Sequence, residues 1–269
     1  MVWIDVLLQV KTPVFIHGFV SIGIILTIGA VVGFLSGLLG KGGSAITTPA
    51  LQIFTGITPL SALASPLPAT LPTTLSASFA YSKKNLVDKK VVLLSIVLGV
   101  PATFIGSFCS EWFGGAALMI LTAIFVFLLG LSFFLFTHRD TTEPVTSKIP
   151  KWKISIVAVS VGFLSGLLAN SGGVLFGPLF IRYLKMPVKQ ALASSLLVAA
   201  GLSIPGTIAH WYLGHIDWMV VLLLSASSIP FSYLGARVTL QMDNRLLEKI
   251  FGIMLIAFGS FDLWYSIVH

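Results

Sequence analysis

The sequence predicts an all-α polytopic membrane protein. It reads as two inverted-topology repeats of about five hydrophobic segments each, with short broken or re-entrant helices at glycine-rich turns. Three observations carry that expectation. The first is composition: of 269 residues, 56% are hydrophobic and 9% are charged, with a mean hydropathy of +1.00. Soluble domains carry about 25% charged residues, so this chain has too little polar surface to cover a globule. That excludes an ordinary soluble enzyme, a disordered chain and a nucleic-acid-binding domain, despite a net charge of +7 and a pI near 9.6. The second is that apolar stretches long enough to cross a bilayer, which takes about 20 residues, recur along the whole chain. The third is an internal repeat.

The heptapeptide GFLSGLL stands at Gly33–Leu39 and again at Gly162–Leu168, 129 positions later. The same offset pairs Gly43 with Gly172, Pro49 with Pro178, Ala62–Ser65 with Ala191–Ser194, and Asp88 with Asp217. It goes on to pair Pro101 with Pro230, Gly106 with Gly235 and Gly130 with Gly259. Compositional bias scatters Leu and Val matches; it does not keep glycines and prolines in register. The repeat divides the chain into a first transmembrane unit at 14–136, a polar linker at 137–153 and a second unit at 154–269. Residues 1–13 precede them as an interfacial segment, without the basic start and small-residue site of a removable signal peptide.

In order, the hydrophobic segments are 14–40, a short 44–55, 60–82, 91–110 and 115–136. The second unit gives 154–169, a short 174–184, 190–211, 218–236 and 247–268. The short ones hold 11–12 residues, less than the ~30 Å hydrocarbon core at ~1.5 Å per residue. Four basic clusters hold 14 of the 16 Lys and Arg residues: Lys83–Lys90, Arg139–Lys153, Arg182–Lys189 and Arg237–Lys249. The positive-inside rule puts these clusters in the cytoplasm and the Lys- and Arg-free loops at 56–59, 111–114 and 213–217 outside. The repeat mate of the basic loop at 83–90 is the neutral loop at 213–219, so equivalent loops fall on opposite sides. That inversion requires an odd number of crossings per half, five or three.

Inverted repeats with interrupted helices point to a secondary transporter whose site lies at the repeat interface. The interruptions fall at Gly40-Lys41-Gly42-Gly43-Ser44 and Ala169-Asn170-Ser171-Gly172-Gly173. Each opens a short helix whose free N–H groups and dipole attract an anion. Two such N-termini brought together by a two-fold axis would form one anion site. Gly33, Gly37, Gly162 and Gly166 read instead as close-packing positions. In Ser65–Ser78, three prolines remove N–H donors and free carbonyls, while Thr70, Thr73, Thr74, Ser76 and Ser78 supply hydroxyls; Ser194, Ser195, Ser203 and Thr207 follow in the second unit. Irregular backbone at membrane depth lines a cavity or is buried in protein, so the cluster reads as a pathway lining, although any single hydroxyl is better explained by back-bonding to its own helix. The candidate substrate-binding residues are therefore Lys41, Gly42, Gly43, Ser44, Thr73, Thr74, Asn170, Ser171, Gly172, Gly173 and Ser194.

Other features carry less. His210, His215 and Asp217 beside Trp211, Tyr212 and Trp218 read as an interfacial cluster and not a metal site. Asp262 reads as a hydrated helix-end carboxylate. With Cys109 the only cysteine, neither an intramolecular disulfide nor a cysteine metal cluster can form. No catalytic residue, metal or cofactor is expected. The partners are a small anionic substrate and the lipid bilayer, with a coupling proton and a homodimer left open, and no nucleic acid.

The pattern G-x-x-S-G-x-x-G-x-G-G-S…P at Gly33–Pro49, its looser copy at Gly162–Pro178, and P-x-x-x-x-G at Pro101–Gly106 and Pro230–Gly235 resemble the TauE/SafE family. These are sulfite exporter-like permeases, also called the 4-toluene sulfonate uptake permease family. The resemblance covers nearly the whole chain from about residue 16. It implies a prokaryotic inner-membrane carrier of small sulfur-containing anions, such as sulfite, sulfoacetate or other organosulfonates. The family's glycine turns map to Gly40, Gly42, Gly43, Gly172 and Gly173. Lys41 stands where the family is usually apolar, and Ala169-Asn170-Ser171 replaces a glycine-rich stretch. A channel or carrier for a different small anion is the competing reading. An intramembrane serine protease is remote, because Ser36 and Ser165 lie in a duplicated packing motif without a span-centre histidine partner. Gly40-Lys41 is not a Walker A loop, with Gly42 where Ser or Thr should stand.

Overall fold

The computed structural model describes residues 18–40, 44–112, 149–168 and 172–268, together with individual helical residues between 117 and 131. Among the described residues every regular element is helical: α1 (Gly18–Leu39), α2 (Ser44–Thr55), α3 (Pro59–Ala64), α4 (Pro66–Ser82) and α5 (Lys89–Cys109), then a 3₁₀ turn at Ser110–Trp112. The second unit holds α6 (Lys151–Leu167), α7 (Gly173–Arg182), α8 (Val188–Tyr212), α9 (Trp218–Gln241) and α10 (Asn244–Val268). Within α1 (Ser21–Leu39), and in α5, α8 and α9, the helix is long and apolar enough to cross a membrane. The N-terminal segment expected at 1–13 lies outside the described residues.

Several boundaries differ from expectation: α9 runs to Gln241 and not 236, α10 begins at Asn244 and not 247, and two further differences have a clear cause. The segment expected as one piece at 60–82 is two helices, α3 and α4. Pro66 and Pro68 have no N–H to continue the ladder, and the last regular bond before them runs from the Ser65 N–H to the Ser61 carbonyl, 2.9 Å. The linker ends earlier than 153, because Lys151–Lys153 form the first turn of α6 after Pro150. The short segments remain short: α2 has 12 residues and α7 has 10, roughly 18 and 15 Å of helix.

The helices pair across the halves. α1 packs on α9, and α6 packs on α5; α4 and α8 meet each other and also touch α9 and α5 respectively. Positions 129 apart make the same contacts. The Asp88 N–H donates to Ser194 Oγ at 3.0 Å, and the Asp217 N–H donates to Ser65 Oγ at 2.9 Å, each bond joining opposite halves. Asp88 and Asp217 then cap α5 and α9 by accepting from Lys90 and Val91, and from Met219 and Val220. Gly37 abuts Ser232 and Ala236, while Gly166 abuts Thr103 and Ser107. Thr103 and Ser232 are themselves repeat mates.

Contact register gives helix direction. Gly33 lies on Ser228, Gly37 on Ser232 and the Leu38 carbonyl on Thr239, so α1 and α9 run parallel. Gly162 on Gly99 and Gly166 on Thr103 make α6 and α5 parallel. Ser65 on Asp217 and Ser232 on Thr73 make α4 parallel to α9. Gly206 beside Leu67, with Ala193 and Leu196 clustered with Ala77 and Tyr81, make α4 and α8 antiparallel. The mates α4 and the body of α8 thus run in opposite directions at the centre of the bundle.

The outer surface is apolar. Leu93 and Leu222, again 129 apart, are each 66% exposed, and Phe79, Ile105 and Leu128 add to this belt. Trp112, Tyr212, Trp152 and Trp264 are exposed near helix ends, as membrane-interface anchors are. We expect Ser65→Ala and Ser194→Ala each to cost about 1 kcal/mol, because each leaves one half-buried N–H without its cross-half partner. In thermal melts of detergent-solubilised protein that appears as a decrease of about 2–4 °C per substitution; no decrease in either variant would contradict the exchange.

Candidate functional site

The two helix breaks end very differently from what convergence at one point requires. The last carbonyls of a helix have no acceptor role within it, and at the end of α1 three hydroxyls from three other helices take them up. Tyr81 Oη of α4 donates to the Gly37 carbonyl at 3.0 Å, Thr239 Oγ1 of α9 to that of Leu38 at 2.6 Å, and Ser195 Oγ of α8 to that of Gly40 at 2.8 Å. Gly40 turns the chain at φ +63°, with its backbone against Leu192. At the second break, His210 Nε2 of α8 lies 3.4 Å from the Gly166 carbonyl, and Gly172 turns at φ +71° to open α7. Tyr81 and His210 are repeat mates performing the same task.

These anchors sit at opposite ends of the α4–α8 pair. Along α8, Ser195 holds the first break and His210 the second, 15 residues or roughly 20 Å apart. Leu168, just before the second break, packs with Leu63, Ala64 and Leu67 near the α3–α4 junction. The expectation that the two N-termini converge on one site therefore needs correction: the antiparallel α4–α8 pair separates the breaks along its length.

The expected site residues distribute as follows. Lys41, Gly42, Gly43, Asn170 and Ser171 lie outside the described residues. Ser44 is the first residue of α2 and Gly173 the first of α7, with Gly172 buried beside Phe176 and Ser165. Thr74 is fully buried and donates back to the Thr70 carbonyl at 2.7 Å. Ser194 accepts the Asp88 N–H. Asp262 lies in α10. Gly33, Gly37, Gly162 and Gly166 are packing positions, as the sequence predicts. The histidine pair departs from a simple interfacial cluster: His210 is 1% exposed, with its Nδ1 3.1 Å from that of His215, while Trp211 and Trp218 make an edge contact beside it.

Thr73 is where hydroxyls converge. Its Oγ1 donates to the Ala69 carbonyl at 2.7 Å and meets Ser228 Oγ of α9, and its carbonyl accepts from Ser232 Oγ at 2.8 Å. Thr73 and Ser228 line a cavity of about 20 Å³ with Thr47 of α2 and Thr70 of α4, and Gly29 and Val32 of α1, Pro66 and Ala69 of α4 and Leu224 of α9 complete its lining. That is room for about one water-sized molecule. Thr47 and Ser228 escaped sequence reasoning. A signal existed: the repeat mate of Thr47 is Phe176, and a hydroxyl standing opposite an aromatic marks where the halves stop being equivalent. Among the described residues no cluster of His, Cys, Asp and Glu could hold a metal ion.

A bundle of apolar helices, four of those described being long enough to span a bilayer, with short helices at glycine breaks between them, defines a multi-pass membrane protein. The family model described as sulfite exporter TauE/SafE matches residues 25–261. The chain belongs to the TauE/SafE family. It is similar to the probable membrane transporter protein YunE of Bacillus subtilis, 29% identical over 89% of this chain and 96% of the relative. It is also similar to a probable membrane transporter protein of Xylella fastidiosa (28%, 90% of this chain and 96% of the relative). A further relative is the probable membrane transporter protein MJ0441 of Methanocaldococcus jannaschii (25%, 89% and 94%). No solved structure matches the chain.

Proposed function

We propose that this protein is a secondary carrier, not an enzyme, that moves sulfite, sulfoacetate or another small organosulfonate across the membrane by alternating access, its two halves inverted with respect to the bilayer. The single observation that carries the reading is the exchange of equivalent bonds between the halves, Asp88 to Ser194 and Asp217 to Ser65. It supports two interlocked halves able to rock about the α4–α8 pair, as repeat-built carriers do. The family description supports a sulfur oxyanion as cargo. The N-terminal ends of α2 and α7 carry the positive ends of their helix dipoles, which favour negative charge. With the breaks roughly 20 Å apart along α8, each break serves as an anion station for one end of the pathway.

Purified protein in proteoliposomes should move sulfite or an organosulfonate with saturable kinetics. Gly172→Leu, whose side chain would have to occupy a left-handed turn against Phe176, should lower that flux at least tenfold in protein that still purifies as a monodisperse, helical species. Flux that rises linearly with concentration would favour a channel, and unchanged flux in Gly172→Leu would remove the second break from the pathway.

A further inference from the structure

The cavity beside Thr73 differs from an anion site in the direction of its hydrogen bonds. Thr70 Oγ1 donates its only proton to the Pro66 carbonyl at 2.9 Å, and Thr73 Oγ1 donates its own to the Ala69 carbonyl at 2.7 Å. Ser228 Oγ must then be the donor to Thr73 Oγ1. With those protons committed, these hydroxyls can offer the cavity only oxygen lone pairs. Lone pairs repel an oxyanion and attract a cation. The lining contains no carboxylate and no titratable side chain, so it can neither neutralise a divalent ion nor hold a proton on a side chain. Its volume of about 20 Å³ suits one small, largely dehydrated ion.

The repeat shows that the feature is particular to the first half. At the 129-residue offset, Thr47, Thr70, Thr73 and Ser228 correspond to Phe176, Ala199, Leu202 and Gly99. Phe176, Ala199 and Leu202 are fully buried there. A two-fold arrangement built for packing alone would fill both positions alike. Here one is filled by an aromatic ring and aliphatic side chains, and the other is left open and surrounded by four hydroxyl-bearing residues.

We propose that Thr47, Thr70, Thr73 and Ser228 form a single monovalent-cation site of Na⁺ size, the ion whose gradient couples to transport. Repeat-built carriers coordinate Na⁺ through neutral oxygen dipoles such as backbone carbonyls, and hydroxyl lone pairs are oxygen ligands of the same neutral kind. The coupling role rests on the carrier reading, but the binding itself does not, and its test uses no anion.

The experiment is a thermal melt of purified protein in NaCl, KCl and choline chloride at equal ionic strength. Na⁺ at ten times its dissociation constant should raise the midpoint by about 3–6 °C over choline. Thr73→Val, which keeps the shape and removes the hydroxyl, and Thr47→Phe, which copies the second half into the first, should both abolish the increase. Equilibrium binding of radioactive Na⁺ to the unmodified protein should give one ion per chain, and Ser228→Ala should weaken it at least tenfold should either other variant fail to fold. An equal midpoint in all three salts, an increase that survives Thr73→Val, or a stoichiometry of zero or two would overturn the proposal. Failure of sulfite flux with Na⁺ binding intact would instead count against the anion assignment alone.

Discussion

Gly37→Ala and Gly166→Ala are expected to be among the most damaging single-carbon additions in this protein. A Cβ at Gly37 would overlap the Ser232 carbonyl oxygen of α9, and one at Gly166 would overlap the Thr103 carbonyl of α5. The obstacle in each case is backbone of a long helix, which cannot rotate aside as a side-chain tip can. Relief requires α1 to move off α9, or α6 off α5, along contacts that continue at Gly33, Gly106, Gly162 and Gly235. Helix association in lipid has no hydrophobic drive and depends on close backbone approach, so the loss is not recovered elsewhere. We expect about 3 kcal/mol or more for each, seen as a decrease of about 6–12 °C in the melting midpoint or as loss of folded protein from membranes. The same addition at Gly23 meets nothing within 4 Å, and at Gly206 it makes ordinary contacts with side-chain carbons of Leu67 at 3.5 Å and Thr103 at 3.8 Å. Those two substitutions should be neutral or slightly stabilising, since alanine favours the helix. Equal effects at all four positions would show that the seams are not what holds the halves together.

Phe176→Ala carries the second large effect. The ring is fully buried, 5.4 Å from that of Phe180, and it stands at the repeat position of Thr47. It also supports the left-handed turn at Gly172, whose site a Cβ would reach at 2.9 Å from the ring. Removing it leaves a cavity against α6 and α8, with an expected cost of about 3–5 kcal/mol and a midpoint decrease of roughly 10 °C. Phe176→Leu should recover most of that loss. A decrease under 2 °C for Phe176→Ala would mean that the second half collapses easily around the vacancy and is not a rigid counterpart of the first.

Much of this architecture is written in local chemistry. The Asp88 and Asp217 caps, the short helices after each glycine break and the packing role of Gly33 and Gly37 follow from residue types at one offset, because capping, φ and side-chain size are properties of a few adjacent residues. The split between α3 and α4 was foreshadowed by Pro66 and Pro68, yet the hydrophobic run from 60 to 82 masked it, since hydropathy does not register a missing N–H. What the sequence could not convey is partnership. Nothing in the text of α1 states that its glycine face belongs to α9 and not to a neighbour in its own half. The separation of the two breaks is of the same kind: it depends on α4 and α8 lying antiparallel, which is a relation between elements. The hydroxyls were legible as a cluster, while the direction of their protons required the helix geometry around Pro66 and Ala69.

The exchange of helices between halves also sets a schedule. About 180 residues separate the end of α1 from the start of α9, so at roughly 5–20 residues per second α1 enters the membrane some 10–40 seconds before its partner is made. During that interval its close-packing glycine face has no matching helix, and the hydroxyl of Thr239 has not yet reached the Leu38 carbonyl. The wait on the other seam is far shorter, because α5 is complete about 40 residues before α6 begins. Among the described helices, the seam between α5 and α6 can therefore form first, and the seam between α1 and α9 closes later. A nascent chain stalled before α9 would carry an unfinished surface that quality-control proteases can recognise.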